Sequence, residues 1–296
     1  MDSEKKLTII VSVIIPTFRD WDRLELCLKA LERQSFPSEK FEVIVINNDP
    51  SDSVPNWLSI NGWRVIEEKK PGSYAARNSG IRKAKGEILA FTDSDCIPDK
   101  DWLLEGVGEL EKSGVSRLGG KIELFKPKNG SRYAFVYEKY FAFQQERNVK
   151  VFKKSVTGNF FAKKFLFDKY GYFDESLMSG GDFFWNLKLS ALGEEIAYAE
   201  LATINHPSRE SIIKIAIKKQ RTILGYYKET YSSLNFGKQI LTLFKRVLPP
   251  IFRINYIRFE SVSDYFRVLM IRWYVELVGV KYLIKLKWAD RKAKTN

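Results

Sequence analysis

Asp93 and Asp95, flanking Ser94, are the first residues of this 296-residue chain whose types and spacing suit chemistry. Two carboxylates one residue apart can meet one hard divalent cation, Mg²⁺ or Mn²⁺, which commonly keeps waters and shares its coordination with substrate phosphates. Such a pair also ends strands and opens turns in many proteins, so it takes its meaning from its surroundings. Three other residues offer complementary chemistry. Arg77 carries a planar guanidinium suited to phosphate oxygens, although its helix-forming neighbours would equally suit a solvated helix charge. Asp182, after Gly180-Gly181, can take a proton from a hydroxyl or cap a helix. His206, the only histidine, serves either as a structural residue or as a metal or diphosphate contact.

These residues need a frame, and the first half of the chain supplies an alternating one. Thr8–Ile15 reads as a strand buried on both faces, and Asp20–Gln34 as a helix with Leu24, Cys27, Leu28 and Leu31 on one stripe. Strands follow at Phe41–Ile46, Trp63–Glu67 and Glu87–Thr92, with helices at about Tyr74–Lys85 and Asp101–Ser113. This alternation predicts an α/β fold around a mostly parallel sheet, with functional loops at the strands' C-terminal ends. Pro16–Asp20, Asn47–Asp52 and Thr92–Asp95 all fall at such ends. Beyond residue 114 the spacing predicts strands at Val115–Phe125, Ser155–Ala162, Ile196–Ala199 and Ala202–Ile204, and helices at Tyr133–Arg147 and Asp182–Leu192. Trp102, Phe160, Phe161 and Trp185 read as packing residues.

Three stretches closely resemble the signature of family 2 glycosyltransferases: Gly72-Ser73-Tyr74-Ala75-Ala76-Arg77-Asn78-Ser79-Gly80-Ile81, Ala84-Lys85-Gly86-Glu87 and Leu89-Ala90-Phe91-Thr92-Asp93-Ser94-Asp95-Cys96. Val11–Phe18 resembles that family's opening strand and loop, and Phe173-Asp174-Glu175, Ser179-Gly180-Gly181-Asp182 and Asn205-His206-Pro207 its later landmarks, in order. The resemblance covers roughly residues 9–207. It implies the GT-A fold and inverting transfer from a nucleotide-sugar donor to a glycan or lipid-linked acceptor. It also implies roles. Asp95, helped by Asp93 and His206, would hold Mn²⁺ or Mg²⁺. Pro16, Thr17, Arg19, Asn47, Arg77 and Ser94 would border the donor, and Asp182 would be the general base. Three positions depart from the family pattern: Asn47 where Asp is common, Phe184 where a second acid often follows the base, and Lys188 where Arg is frequent. The Gln-x-x-Arg-Trp pattern of processive synthases is absent, so transfer of a single sugar is expected.

Composition bounds the rest. Apolar residues make up 45% and aromatics 14%, ordinary globular values, and two cysteines make no disulfide framework. Residues 1–210 carry 31 Lys/Arg and 31 Asp/Glu, whereas residues 211–296 carry 18 against 5, the whole of the +13 net charge. In Ile212–Lys228, Lys214, Lys218, Arg221 and Lys228 share one face, opposite Ile213, Ile215, Ala216, Ile223, Tyr226 and Tyr227. In Lys238–Leu248, Lys238, Thr242, Lys245 and Arg246 oppose Ile240, Leu243, Phe244, Val247 and Leu248. The expected organisation is a catalytic domain over 1–207, with a nucleotide-sugar half (1–113) and an acceptor half (114–207), then a basic helical region over 208–296. That region suits an anionic membrane surface better than nucleic acid, or packs on the catalytic domain or another subunit. Lys5-Lys6 and the apolar run to Ile15 imitate a signal peptide but lack a cleavage site. No uncharged stretch of about 20 apolar residues occurs. A cytoplasmic protein, peripheral on the membrane, is therefore expected. Two alternatives stand beside the enzyme: a sugar-phosphate nucleotidyltransferase, disfavoured because Ile15–Asp20 has no glycine, and a non-enzymatic binder of anionic surfaces.

Overall fold

A computed structural model describes residues 9–60, 63–251 and 259–295; Lys5, Lys6, Leu7 and Thr8 lie outside them, as does the side chain of Lys228. The elements are β1 (Val11–Thr17), α1 (Trp21–Leu31), β2 (Phe41–Asn47), α2 (Asn56–Ile60), β3 (Arg64–Glu67), α3 (Ser73–Lys83), β4 (Ile88–Thr92), β5 (Ile97–Pro98), α4 (Trp102–Ser113), β6 (Arg117–Phe125), α5 (Arg132–Phe141), α6 (Gln145–Lys150), β7 (Asn159–Lys163), α7 (Phe165–Tyr170), α8 (Gly181–Ala191), β8 (Ala197–Pro207), α9 (Ile212–Glu229), α10 (Phe236–Val247) and α11 (Val262–Thr295).

The strands form one sheet in the order β3-β2-β1-β4-β7-β6-β8-β5. The apolar runs of β1, β2 and β4 are buried on both faces because they lie side by side in its parallel half, Val13 opposite Val43 and Ala90. From β4 onward the pairing turns antiparallel, with Phe91 opposite Phe160. The strand order reverses at β1 and β4, the switch point beside which open α/β sheets place ligands. Thr17 and Asn47 stand level at the ends of β1 and β2, and Asp93 follows the last residue of β4.

Helices cover both faces. On one, Leu24, Cys27, Leu28 and Leu31 of α1 join Val13, Ile15, Trp102 and Phe161. Gly106 lets α4 sit directly on Phe161, for a Cβ there would lie 2.3 Å from the ring. On the other, Ile14, Ile44 and Ile46 meet Ala76 and Ile81 of α3, and a stacked pair, Phe167 and Trp185, packs with ring centroids 4.4 Å apart. All four aromatics read as packing residues are buried.

The chain divides into two compact units. The first runs to Glu123 and takes in Phe143–Leu177 and Gly181–His206; the second comprises Leu124–Ala142, Met178–Gly180 and Pro207 onward. The second is helical, with Ala134, Ile215, Val268, Ile271 and Val275 in one cluster and Ile223, Tyr231 and Leu283 in another. Among the described residues no helix is long and apolar enough to cross a membrane.

Several elements depart from the sequence reading. The helix expected over Tyr133–Arg147 is two, α5 and α6, because Phe143 takes a left-handed backbone (φ +49°). The expected strands Ile196–Ala199 and Ala202–Ile204 are one, β8. Strand β7 begins at Asn159, four residues later than expected, since the preceding polar groups are spent on side-chain partners: Ser155 on Gln145, Thr157 on Asp182. In α9 Ile215, Ala216 and Ile223 of the apolar face are buried, whereas Ile213 is 67% exposed. In α10 the apolar face is open, Phe244 being 60% exposed, while Arg246 of the basic face turns inward to a buried glutamate, its counter-charge inside the unit.

Candidate functional site

Strand β4 delivers Thr92 to the sheet edge and releases the chain into a tight turn, where the Cys96 N–H donates to the Asp93 carbonyl. This turn aims both carboxylates back towards the strand ends. Asp93, Asp95, Cys96 and His206 offer ligand atoms that all lie within 4.8 Å of one another. His206 comes from the far end of β8, and its Nε2 stands 3.6 Å from Asp95 Oδ1. The Phe143 ring packs on the imidazole with centroids 4.3 Å apart, so the residue that breaks the helix also walls the cluster. Two carboxylates and an imidazole suit Mn²⁺ or Mg²⁺, and the pair is 33% and 21% exposed, accessible to a substrate. Burial, then the charges of Asp93 and Asp95, push the Cys96 thiol well above its usual range.

Cations meet the same carboxylates. Arg77, 4% exposed on α3, donates from Nη2 to Asp93 Oδ1, and its buried Nε has no hydrogen-bond partner among the described residues. Arg23 on α1 donates to Asp95 Oδ2 at 3.2 Å and to Asp20 Oδ1 at 2.7 Å. Asp20 in turn accepts from the Ser94 hydroxyl at 3.0 Å. Asp20 and Arg23 were not singled out from the sequence. Their spacing of three at the start of a predicted helix was the available signal, ambiguous because exposed i,i+3 ion pairs abound.

Asp182 lies in the first turn of α8, which begins at Gly181, and is 8% exposed. Its carboxylate accepts from Tyr74 Oη at 2.9 Å and from the N–H groups of Thr157 and Phe183, each at 3.0 Å. It therefore does not cap the helix from outside. Burial, followed by the Asp182 charge, pushes the Tyr74 phenol well above its ordinary value, so it remains a donor. Lys154 stands nearby with its ammonium 4.2 Å above the Phe183 ring; burial lowers its pKa and Asp182 opposes that shift.

Two structural links bring Asp182 and Asp93 together. Tyr74 and Arg77, three apart on α3, each hold one of them. The dipeptide Thr157-Gly158 touches both, since Thr157 donates to Asp182 and a Cβ at Gly158 would lie 3.4 Å from Asp93 Oδ2. Neither Tyr74 nor Thr157 stood out in the sequence, where both read as helix or strand residues.

The loops at the other strand ends hold the remaining sequence-chosen residues. Thr17 is 2% exposed, with its hydroxyl unpartnered among the described residues. Pro16 is half-buried within β1, opposite Ile46. Arg19 adopts a left-handed backbone (φ +52°), a cost of about 1–2 kcal/mol, and its exposed side chain bonds Asp49 at 2.5 Å. The Ser51 hydroxyl and then Arg19 hold the Asp49 carboxyl below its usual range. Asn47 is fully buried and spends its side chain on its own loop, accepting from Asp49 N and donating to the Asp52 carbonyl. Its neighbour Asn48 ties its own loop to the segment that leads into α3: it donates to the carbonyls of Glu68 and Lys70 and accepts from Gly72 N, which opens α3 at φ +123°. Only glycine holds that backbone without strain.

The sheet order and the carboxylate turn after β4 define a GT-A architecture. Solved structures share it: Staphylococcus aureus TarS (residues 1–349, in complex with UDP) aligns over 90% of each chain with TM-score 0.55 and 18% identity. The mannosyltransferase PcManGT from Pyrobaculum calidifontis, in complex with GDP-Man and Mn²⁺, aligns over 96% of this chain and 75% of its own, with TM-score 0.56 and 18% identity. The chain itself belongs to Glycosyl transferase family 2, whose model matches residues 12–171. It is 34% identical over 205 residues to glycosyltransferase AglE of Haloferax volcanii, covering 67% of both chains. It is 21% identical over 223 residues to the dolichyl N-acetyl-alpha-D-glucosaminyl phosphate 3-beta-D-2,3-diacetamido-2,3-dideoxy-beta-D-glucuronosyltransferase of Methanococcus voltae, covering 69% of this chain and 68% of that one. Its role is glycosyl transfer, which sets aside the nucleotidyltransferase and the non-enzymatic binder.

Proposed function

We propose that the protein is a metal-dependent inverting glycosyltransferase that moves one sugar from a nucleotide-diphosphate sugar to an acceptor hydroxyl, in polysaccharide or lipid-linked glycan synthesis. The observation that carries this is the double hold of α3, with Tyr74 on Asp182 and Arg77 on Asp93. A proton acceptor and an acidic cation site so linked are the two groups an inverting displacement requires.

Asp182 takes the proton from the acceptor hydroxyl while that oxygen forms its bond to the anomeric carbon. On the opposite face the carbon–oxygen bond to the diphosphate breaks, and the electron pair leaves with the nucleoside diphosphate. Tyr74 and the Thr157 N–H fix the Asp182 carboxylate in place, leaving it no need to reorganise. Asp95, assisted by Asp93 and His206, would hold Mn²⁺ or Mg²⁺, which supplies charge stabilisation for the leaving diphosphate. Arg77 positions Asp93 and adds positive charge at the same place. Pro16, Thr17, Arg19, Asn47 and Ser94 border the nucleotide. The name of the Methanococcus voltae relative supports a lipid-linked acceptor.

Residues 1–207 form the catalytic domain in this reading, and the basic helices beyond it rest on the cytoplasmic face of a membrane. The exposed apolar side chains of α10, Phe236, Ile240 and Phe244 among them, support the second part. A donor screen tests the whole: hydrolysis or transfer from UDP-, GDP- and dTDP-sugars, with and without Mn²⁺, should single out one nucleotide and stop with chelator. Full activity in chelator would overturn the metal site, and near-wild-type transfer by Asp182→Asn would overturn the base. Flotation with anionic liposomes tests the membrane part, which fails if binding is indifferent to lipid charge.

A further inference from the structure

Within the helical unit, α9, α10 and α11 enclose a cleft of about 560 Å³, lined by Lys219, Thr242, Lys245, Arg246, Arg272 and Glu276 and by Leu248–Pro250. Glu276 is 2% exposed and is the one carboxylate among the described lining residues. It accepts from Lys219 Nζ at 2.8 Å, Arg246 Nη1 at 3.0 Å and Arg272 Nη2 at 3.1 Å. Four cationic side chains thus line the cleft around a single buried negative charge. Their placement is firm. Arg246 lies over the Tyr226 ring, 5.1 Å from its centroid, and Arg272 over the Phe141 ring at 4.7 Å.

Lys245 is exposed at the rim, whereas Lys219, Arg246 and Arg272 are half-buried side by side on one carboxylate, and crowding like charges away from water is costly for packing alone. Burial does press on this cluster, lowering the Lys219 pKa. A multivalent anion would offset the repulsion among these cations. Guanidinium groups and a lysine match the oxygens of a phosphate. The volume lies within the roughly 300–1,000 Å³ of small-molecule sites, more than a simple ion fills, and Leu248, Pro249 and Pro250 give one side an apolar wall.

We propose that this cleft is a binding site for a phosphate or diphosphate group carrying an organic substituent. The phosphate is either the headgroup of a lipid or part of a soluble compound; none of the residues involved belongs to the Asp93–Asp95 cluster.

The test uses the full chain in chelator, with inorganic pyrophosphate as probe in calorimetry. Wild-type protein and Asp95→Ala should bind it alike, and Lys245→Ala should weaken binding about tenfold, the scale of one lost charge-assisted hydrogen bond. Arg246→Lys keeps the charge and the contact with Glu276 but loses the planar fork, and should weaken binding by a similar factor while the circular dichroism spectrum and melting temperature stay near wild type. Vesicles separate the sources. Stronger sedimentation with phosphatidic acid than with phosphatidylglycerol at matched charge, abolished by Lys245→Ala, supports the lipid headgroup. Pyrophosphate binding without that difference supports the soluble compound. No pyrophosphate binding together with no vesicle discrimination, or pyrophosphate binding lost in Asp95→Ala but kept in Lys245→Ala, overturns the proposal.

Discussion

The two units use buried charge in opposite senses. In the sheet unit, the carboxylates Asp93 and Asp95 project from the end of β4 and cations are drawn in around them, Arg77 on one and Arg23 on the other. In the helical unit, one carboxylate, Glu276, sits at the centre and Lys219, Arg246 and Arg272 converge on it. The acidic pair is partly exposed and stands at a switch point of the sheet, where charge can be shared with a substrate and a cation. Glu276 is nearly inaccessible, and its work is to hold three long side chains in one arrangement. Position relative to solvent, more than residue type, separates the two.

Breaking each arrangement separates them experimentally. Asp182→Asn should cut transfer on the order of a thousandfold, within the range of general base catalysis, with donor affinity nearly unchanged; kcat and donor Kd measured together check this. Glu276→Ala should leave three half-buried cations without their shared partner and cost about 3–5 kcal/mol of stability, read as a lowered Tm and denaturation midpoint. Asp95→Ala should lower transfer roughly a hundredfold or more yet leave Tm near wild type, the converse of the Glu276 result. Asn48→Ala removes the tie between the loop after β2 and the segment before α3 and should cost about 1–3 kcal/mol, with a raised KM for the donor.

The pH dependence sharpens the same contrast. Burial alone would raise the Glu276 pKa, but Lys219, Arg272 and Arg246 overcome it and hold the carboxyl below its usual range. In the unfolded chain the same group titrates at an ordinary carboxylate value, near 4.3. Its stabilisation is therefore present above that value and lost as pH falls through the lower folded pKa. The Tm difference between wild type and Glu276→Gln should shrink progressively below about pH 4. A difference that stays constant through the acid range would show that the cluster acts by shape and not by charge.

Much of the sheet unit was legible because burial on both faces leaves a distinct imprint. The strands around Val13, Val45 and Ala90 are apolar runs with polar residues released at their ends, and the order of motifs pointed to Asp93 and Asp95 after a strand, Asp182 at the start of a helix and His206 just beyond a strand. What failed to show were the residues that support them. Tyr74 read as one more aromatic in a helix, and Asn48 as one of several turn residues, since their roles depend on partners 108 and 24 residues away. The second half was harder for a related reason. The break between α5 and α6 answers no proline or glycine; it is at Phe143, whose ring is held against His206.

The amphipathic helices show where periodicity stops. A helical wheel separates Lys245 and Arg246 from Phe244 and Val247 but does not say which side meets the protein. Water would ordinarily claim the basic face. Glu276, on another helix, draws Arg246 inward and leaves Phe244 in solvent, a result decided by one long-range ion pair. The sequence by itself determined the α/β frame, the family and the carboxylates at the strand ends, because those follow from local burial and from spacing along the chain. Only the tertiary structure decided that one turn of α3 grips both Asp93 and Asp182, and that the cations of the helical unit face a buried glutamate. Electrostatic partners are chosen by distance in space, on which spacing along the chain is silent.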